Sequence, residues 1–189
     1  NWIDYELEWA CVIGRTATGI TPENARDHIF GLTIFNDWSA RDLQIPFMKA
    51  DLGPGRGKDF ANGLGPCIAT LDEFDDIYDL TMTARINGEE WTRCNSGTMF
   101  HKWEDAVVRL SGDCALKAGE VIGSGTVLSG CGFELDRKLA IGDVVELEVE
   151  ELADRKGDQG QLADRRSVLL LRRPQDGEMD EVDRGVGLQ

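Results

Sequence analysis

Basic side chains, histidines and long apolar runs are scarce in this 189-residue chain, and each scarcity narrows what it can be. Twenty Lys and Arg face thirty-five Asp and Glu, leaving a net charge of −15. Such a surface repels phosphate backbones and anionic headgroups, whose capture depends on Lys and Arg. Neither nucleic acid nor a membrane is therefore expected as a partner. Apolar stretches such as Trp9 to Ile13 and Val168 to Leu171 fall far short of the roughly 20 residues that span a bilayer. The five cysteines are scattered and form no C-x-x-C pair, which argues against a disulfide framework or a zinc cluster and for reduced thiols in the cytoplasm. No basic segment followed by an apolar one opens the chain, so no secretory signal is read. Asn1 stands where a Met would, and the chain is expected to begin partway into a longer protein.

Two motif classes also fail. Gly53 to Lys58 has the look of a phosphate loop, but Leu52 and Asp59 occupy places where a Walker loop needs Gly and Ser or Thr. The histidines, His28 and His101, have no G-x-S-x-G elbow to serve, and both read as ordinary residues on short helices.

What is present is β-rich. Tyr5 to Ile13, Leu32 to Phe35 and Cys67 to Thr70 read as strands, and Leu80 to Ile86 and Glu89 to Cys94 flank Asn87-Gly88, a pair suited to a tight hairpin turn. Thr21-Pro22-Glu23 reads as the capped start of a short helix. Phe100, Trp103, Val107 and Leu110 recur at helical spacing and predict a helix over Met99 to Leu110. Val121 to Gly132 reads as a strand passing into a glycine-rich turn. Val145, Leu147 and Val149 alternate with Glu146, Glu148 and Glu150, the period of a strand with one solvated face. Beyond it, LADR occurs twice in a polar stretch, one apolar run follows, and the segment from Pro174 reads as a disordered acidic tail. The expected organisation is a catalytic domain over 1–152, a divergent polar stretch and strand over 153–173, and the tail over 174–189. Strands outnumber helices without regular βαβ alternation, so the fold class is α+β and β-rich.

The informative carboxylates lie near the start. Glu6 and Glu8 are two apart on a strand, so both leave one face while Leu7 and Trp9 leave the other. Two acids crowded against a core need a cation, and a hard divalent ion is the natural one. A solvated face, as read for Glu146, Glu148 and Glu150, is the alternative. Asp37 ends an apolar strand within IFNDWSARD, where a short carboxylate can be aimed at a fixed point.

Taken together, DYELEWACVIG, IFNDWSARD, KDFANGLGPCIAT and GSGTVLSGCGFEL resemble the fumarylacetoacetate hydrolase family in order and spacing. The resemblance implies a mixed β-sheet roll or sandwich of the fumarylacetoacetase C-terminal type with a few short helices. It implies Glu6, Glu8 and Asp37 as ligands of Mg²⁺ or Mn²⁺, with Ca²⁺ a further candidate. Asp4 shares their face but matches no family ligand. Lys58 would stand beside the metal, with Asn62 also in its surroundings, and Arg41, Gln44 and Thr126 would line the substrate pocket. The bland alternative for Arg41 is an ion pair with Asp42 or another acid. Glu134 matches the family's catalytic glutamate, although the histidine it orients elsewhere in the family has no matching block here. The implied function is metal-dependent hydrolysis of a carbon–carbon bond in a 1,3-dicarbonyl or 2-oxo acid through an enolate, in a homodimer. Two alternatives stand beside it: a decarboxylase, hydratase or isomerase of 2-oxo acids at the same site, and a truncated non-catalytic domain that binds metal or partners.

Overall fold

Alternation of apolar and polar side chains builds the scaffold of this protein, and the computed structural model describes residues 2–150 together with the backbone of Arg166–Arg172. In chain order the strands are β1 (Ile3–Asp4), β2 (Leu7–Ile13), β3 (Ile29–Asn36), β4 (Ser39–Ala40), β5 (Gly63–Thr70), β6 (Thr81–Ile86), β7 (Glu89–Asn95), β8 (Val121–Gly123), β9 (Val144–Glu150) and β10 (Arg166–Arg172). Two α-helices accompany them, α1 (Arg41–Lys49) and α2 (Trp103–Ser111). The strands form one sheet in the order β5-β3-β2-β8, a second in the order β10-β9-β6-β7, and the small pair β1-β4. The β-rich α+β class read from the sequence is the one observed. Every described pairing is antiparallel, rather than mixed. Parallel pairs need long crossovers, whereas β2 with β3 and β6 with β7 are chain neighbours that return beside each other.

The two sheets share one core. Leu7, Trp9, Cys11 and Ile13 of β2 join Leu32 and Ile34 of β3, Met82, Ala84 and Ile86 of β6, and Val145, Leu147 and Val149 of β9. Because β2 sends alternate side chains to opposite faces, its apolar set fills the core and Glu8 is left on the outer face. The hairpin between β6 and β7 turns at Asn87 and Gly88, both at positive φ (52° and 82°), as a tight two-residue turn requires.

Several local expectations are revised. The strand read from Tyr5 begins at Leu7, since the Glu6 N–H is given to the Asn36 side chain instead of a continuous ladder. Thr21 does not cap a helix; Asn24 Oδ1 accepts the Thr21 N–H at 2.9 Å, and the helical turn is a short 3₁₀ segment, Ala25–His28. The helix expected from Met99 starts at Trp103, because Lys102 is extended and the Trp103 N–H is taken by the Tyr78 hydroxyl at 2.8 Å. Phe100 is thereby left 88% exposed, off the helix. The strand read from Val121 stops at Gly123, but the chain stays beside β2 through Ser124 N–H to Trp9 O at 3.0 Å and Val127 N–H to Leu7 O at 3.1 Å. The glutamates of β9 are not all solvated. Glu148 is buried and Arg85 bridges it to Glu146, at 2.5 and 3.0 Å.

None of the five cysteines forms a disulfide among the described residues. The described backbone of β10 pairs antiparallel with β9, while the LADR repeat and the tail from Pro174 lie outside the described residues. No described helix is long and apolar enough to cross a membrane.

Trp103 and Leu110 test this packing on one helix. Trp103 is fully buried against Trp9, ring centroids 5.2 Å apart, whereas Leu110 is 44% exposed. Trp103→Ala should cost about 3–5 kcal/mol and Leu110→Ala less than about 1 kcal/mol in denaturant unfolding.

Candidate metal centre

The outer face of the β2 sheet gathers the acids. Glu8 leaves β2 on the side opposite Trp9, and Glu6 leaves the residues just before it on the same side. Leu7 is the register partner of Asn36, the last residue of β3, so Asp37 emerges beside Glu6. Asn36 secures this corner by accepting the Glu6 N–H on Oδ1 at 2.9 Å. One carboxylate oxygen each from Glu6, Glu8 and Asp37 lies within 4.8 Å of the others.

Three carboxylates at that spacing repel one another, and two cations answer them unequally. Lys58 Nζ pairs with Glu6 Oε2 and with Asp37 Oδ2, the latter at 2.9 Å. Arg41 is buried and shared: Nε and Nη2 bind Asp4 Oδ2 at 2.9 and 2.7 Å, and Nη1 binds Glu6 Oε1 at 2.8 Å and Gln44 Oε1 at 2.7 Å. Burial would raise Glu6, but Lys58 and Arg41 together hold it below the usual carboxylate range. Burial raises Asp37 despite the Lys58 contact. Glu8 has no cation in contact among the described residues and accepts one backbone bond, from the Gly125 N–H at 3.1 Å. Burial, then the charges of Glu6 and Asp37, push its carboxyl up to about 8.

The other residues named from the sequence fall into two groups. Gln44 is one helical turn from Arg41 and holds its guanidinium. Helix α1 carries both on one face, and Pro46 within it made that helix hard to read. Thr126 is half-buried on the segment that runs beside Leu7 and Trp9, one residue after the Gly125 amide that holds Glu8. The pairing of Asn36 with Gly63 carries Asn62 to the end of the ladder opposite Asp37, where it is exposed. Glu134 is exposed on a turn whose preceding amides, Gly132 and Phe133, bind Asp4 at 2.9 and 3.0 Å rather than the three acids. Neither histidine makes a hydrogen bond or ion pair with Glu6, Glu8 or Asp37 among the described residues; His28 lies at Arg15 O and His101 stacks edge-on to Phe100. Sequence reasoning passed over Asp4, which is fully buried. Its place two residues before Glu6 was the available signal.

The donor set fits a hard divalent cation. All three groups are carboxylates, the type that Mg²⁺, Mn²⁺ and Ca²⁺ take, and no described cation pairs with Glu8. The backbone also leaves room: a Cβ on Gly123 would stand 2.8 Å from Glu8 Oε2. Fold and site thus define a β-rich domain with a cluster of three carboxylates on its sheet face. A profile of the fumarylacetoacetate (FAA) hydrolase C-terminal family matches residues 1–162, and the chain belongs to that family. Oxaloacetate tautomerase YisK of Bacillus subtilis is 32% identical over 151 residues, covering 79% of this chain and 50% of the relative. A mitochondrial oxaloacetate tautomerase of Xenopus laevis is 34% identical over 154 residues, covering 79% and 47%. Among solved structures, a fumarylacetoacetate hydrolase from Exiguobacterium antarcticum superposes with a TM-score of 0.72 at 36% identity, covering 80% of this chain and 54% of that one. A 5-carboxymethyl-2-hydroxymuconate delta-isomerase from Mycobacterium smegmatis gives 0.68 at 31%, covering 80% and 56%. The chain spans about half the length of the curated relatives it matches.

The state of Glu8 would make binding of a cation by these carboxylates pH-dependent. Ligation needs the carboxylate, so below pH 8 binding must expel a proton, and apparent affinity should fall toward tenfold per pH unit as the solution is acidified. Titration calorimetry of Mg²⁺ or Mn²⁺ near neutral pH, in buffers of different ionisation enthalpy, should count about one proton released. The sign for folding is opposite. With a folded value of about 8 against the ordinary 4.5, Glu8 favours the metal-free fold at low pH and loses that contribution as pH rises through 8. Glu8→Gln should therefore raise the metal-free melting temperature at pH 8 by a few degrees while weakening cation binding.

Proposed function

We propose that this domain binds a 2-oxo acid at the Glu6, Glu8 and Asp37 site and interconverts its keto and enol forms. The observation that carries the reading is Lys58, whose ammonium rests on Glu6 and on Asp37 at 2.9 Å, a proton donor beside the three carboxylates. A divalent cation held by the three carboxylates would supply Lewis acidity toward the substrate carbonyl. Lys58 serves the proton. Its ammonium gives a proton to C3 of the enol as the C2–C3 π pair takes it and the enol oxygen forms the carbonyl, and the amine so left accepts the proton that leaves that oxygen. The reverse sequence gives the enol form. In this reading Gln44 and Arg41 shape the floor of the site, Thr126 and Asn62 border it, and Glu134 lies on the adjoining turn.

Two considerations favour enolisation as the step performed. The relatives named above include tautomerases of oxaloacetate and an isomerase of a hydroxymuconate, reactions that share a shift of a proton and a double bond. Hydrolysis of a carbon–carbon bond needs, in addition, a base that activates water, and the described histidines and Glu134 form no contact with the three carboxylates. The hydrolytic reading remains the second one, favoured by the likeness to the Exiguobacterium hydrolase.

The two are separated by their products. In Mg²⁺ or Mn²⁺, the purified protein should accelerate decay of the oxaloacetate enol absorbance and incorporate deuterium at C3 in heavy water. Lys58→Met should lower that rate by about 10²–10⁴-fold with bound metal retained. Cleavage of acylpyruvates without C3 exchange on oxaloacetate would overturn the tautomerase reading in favour of the hydrolase.

A further inference from the structure

Asp4 is fully buried, yet it is neither one of the three clustered carboxylates nor in contact with them. Its two oxygens are nonetheless filled to capacity. Oδ1 accepts the Tyr5 and Gly132 amides at 3.1 and 2.9 Å, and Oδ2 accepts the Phe133 amide at 3.0 Å and the Nε and Nη2 donors of Arg41. The cradle is built for it: a Cβ on Gly132 would lie 2.6 Å from Asp4 Oδ1. The Phe133 ring covers the Arg41 guanidinium, 5.5 Å from ring centroid to the central carbon.

We infer that Asp4 is a positioning residue for the cation site, acting through Arg41 on Glu6; the inference rests on the cation-site reading above. Two effects follow from the geometry. Asp4 offsets the charge of Arg41, so the guanidinium only partly cancels that of Glu6, and Lys58 is the other cation that Glu6 and Asp37 meet. Asp4 also occupies one edge of the guanidinium fork, which leaves Nη1 directed at Glu6 Oε1 and fixes the rotation of that carboxylate. Outer partners of this kind orient ligands and commonly matter tenfold or more in metal affinity. The same carboxylate ties the turn at Gly132 and Phe133 to Arg41, beside the backbone bridge that already joins Cys131 to Glu6.

Mn²⁺ titration followed by electron paramagnetic resonance of the free ion tests this, with wild type, Asp4→Asn, Arg41→Met and the double variant. Asn at 4 keeps one accepting oxygen, enough for the Tyr5 and Gly132 amides, but turns an NH₂ donor toward Phe133 and Arg41 and carries no charge. Asp4→Asn should lower the melting temperature, as loss of one charge of a buried pair does, and, measured well below that temperature, should weaken Mn²⁺ roughly tenfold or more and alter the spectrum of the bound ion as Glu6 reorients. In the Arg41→Met background the same substitution should add nothing, because its effect runs through the missing guanidinium. Unchanged Mn²⁺ affinity in Asp4→Asn, or equal losses in the two backgrounds, would overturn the inference while leaving the cation site standing. If Arg41→Met fails to fold, the affinity and spectrum of Asp4→Asn decide alone. Wild type that binds no Mn²⁺ would overturn the cation site and this inference together.

Discussion

Mutual repulsion among Glu6, Glu8 and Asp37 is the constraint around which the rest of the site is arranged. Carboxylate oxygens within 4.8 Å of one another on a largely buried face cannot all remain charged without cations, because desolvation and like charge both oppose ionisation. The protein answers with graded compensation. Glu6 meets two cations and stays ionised, Asp37 meets one, and Glu8 meets none. A divalent ion is a group that the charge and the all-oxygen donors of this cluster would accommodate.

The fold makes that arrangement affordable by giving the acids one side of a sheet and the core the other. Leu7 and Trp9 anchor β2 between the sheets, so the backbone from which Glu6 and Glu8 project cannot rotate away from the repulsion. Backbone groups then hold individual side chains. Asn36 takes the Glu6 amide, Gly125 gives an amide to Glu8, and Gly132 and Phe133 give theirs to Asp4. Buried charges are tolerated where such bonds satisfy them. Arg41 illustrates the cost: removing one partner of a buried pair typically destabilises by about 3–5 kcal/mol, which ties the stability of this corner to the same residues that shape the site.

Legibility in the sequence varied with how local the cause was. The Asn87-Gly88 hairpin was readable because the turn is dictated by two residues. The start of α2 was not, since the Trp103 amide is captured by Tyr78, a residue 25 positions earlier. Glu146 and Glu148 share the spacing of Glu6 and Glu8, and both pairs look alike as strand faces. They part company only in space, where Arg85 of β6 sits across the ladder from Glu146 while Glu8 finds no cation. Arg41 was ambiguous for the same reason: the acids that claim it are Asp4 and Glu6, more than thirty positions away, and the neighbouring Asp42 was the wrong guide.

The sequence by itself determined the β-rich class, the opposed faces of β2 and the identity of the acids in E-x-E and NDWSARD, because alternation and short-range turn chemistry act over a few residues. Tertiary structure alone decided the charge state of each acid. That depends on which distant cation arrives, and antiparallel pairing of β2 with β3, the seating of α1 and the turn at Gly132 set those distances. Asp4 shows the division most clearly. In sequence it is one more acid in an acidic chain, and in the fold it is the buried counter-ion of Arg41, the guanidinium that also binds Glu6.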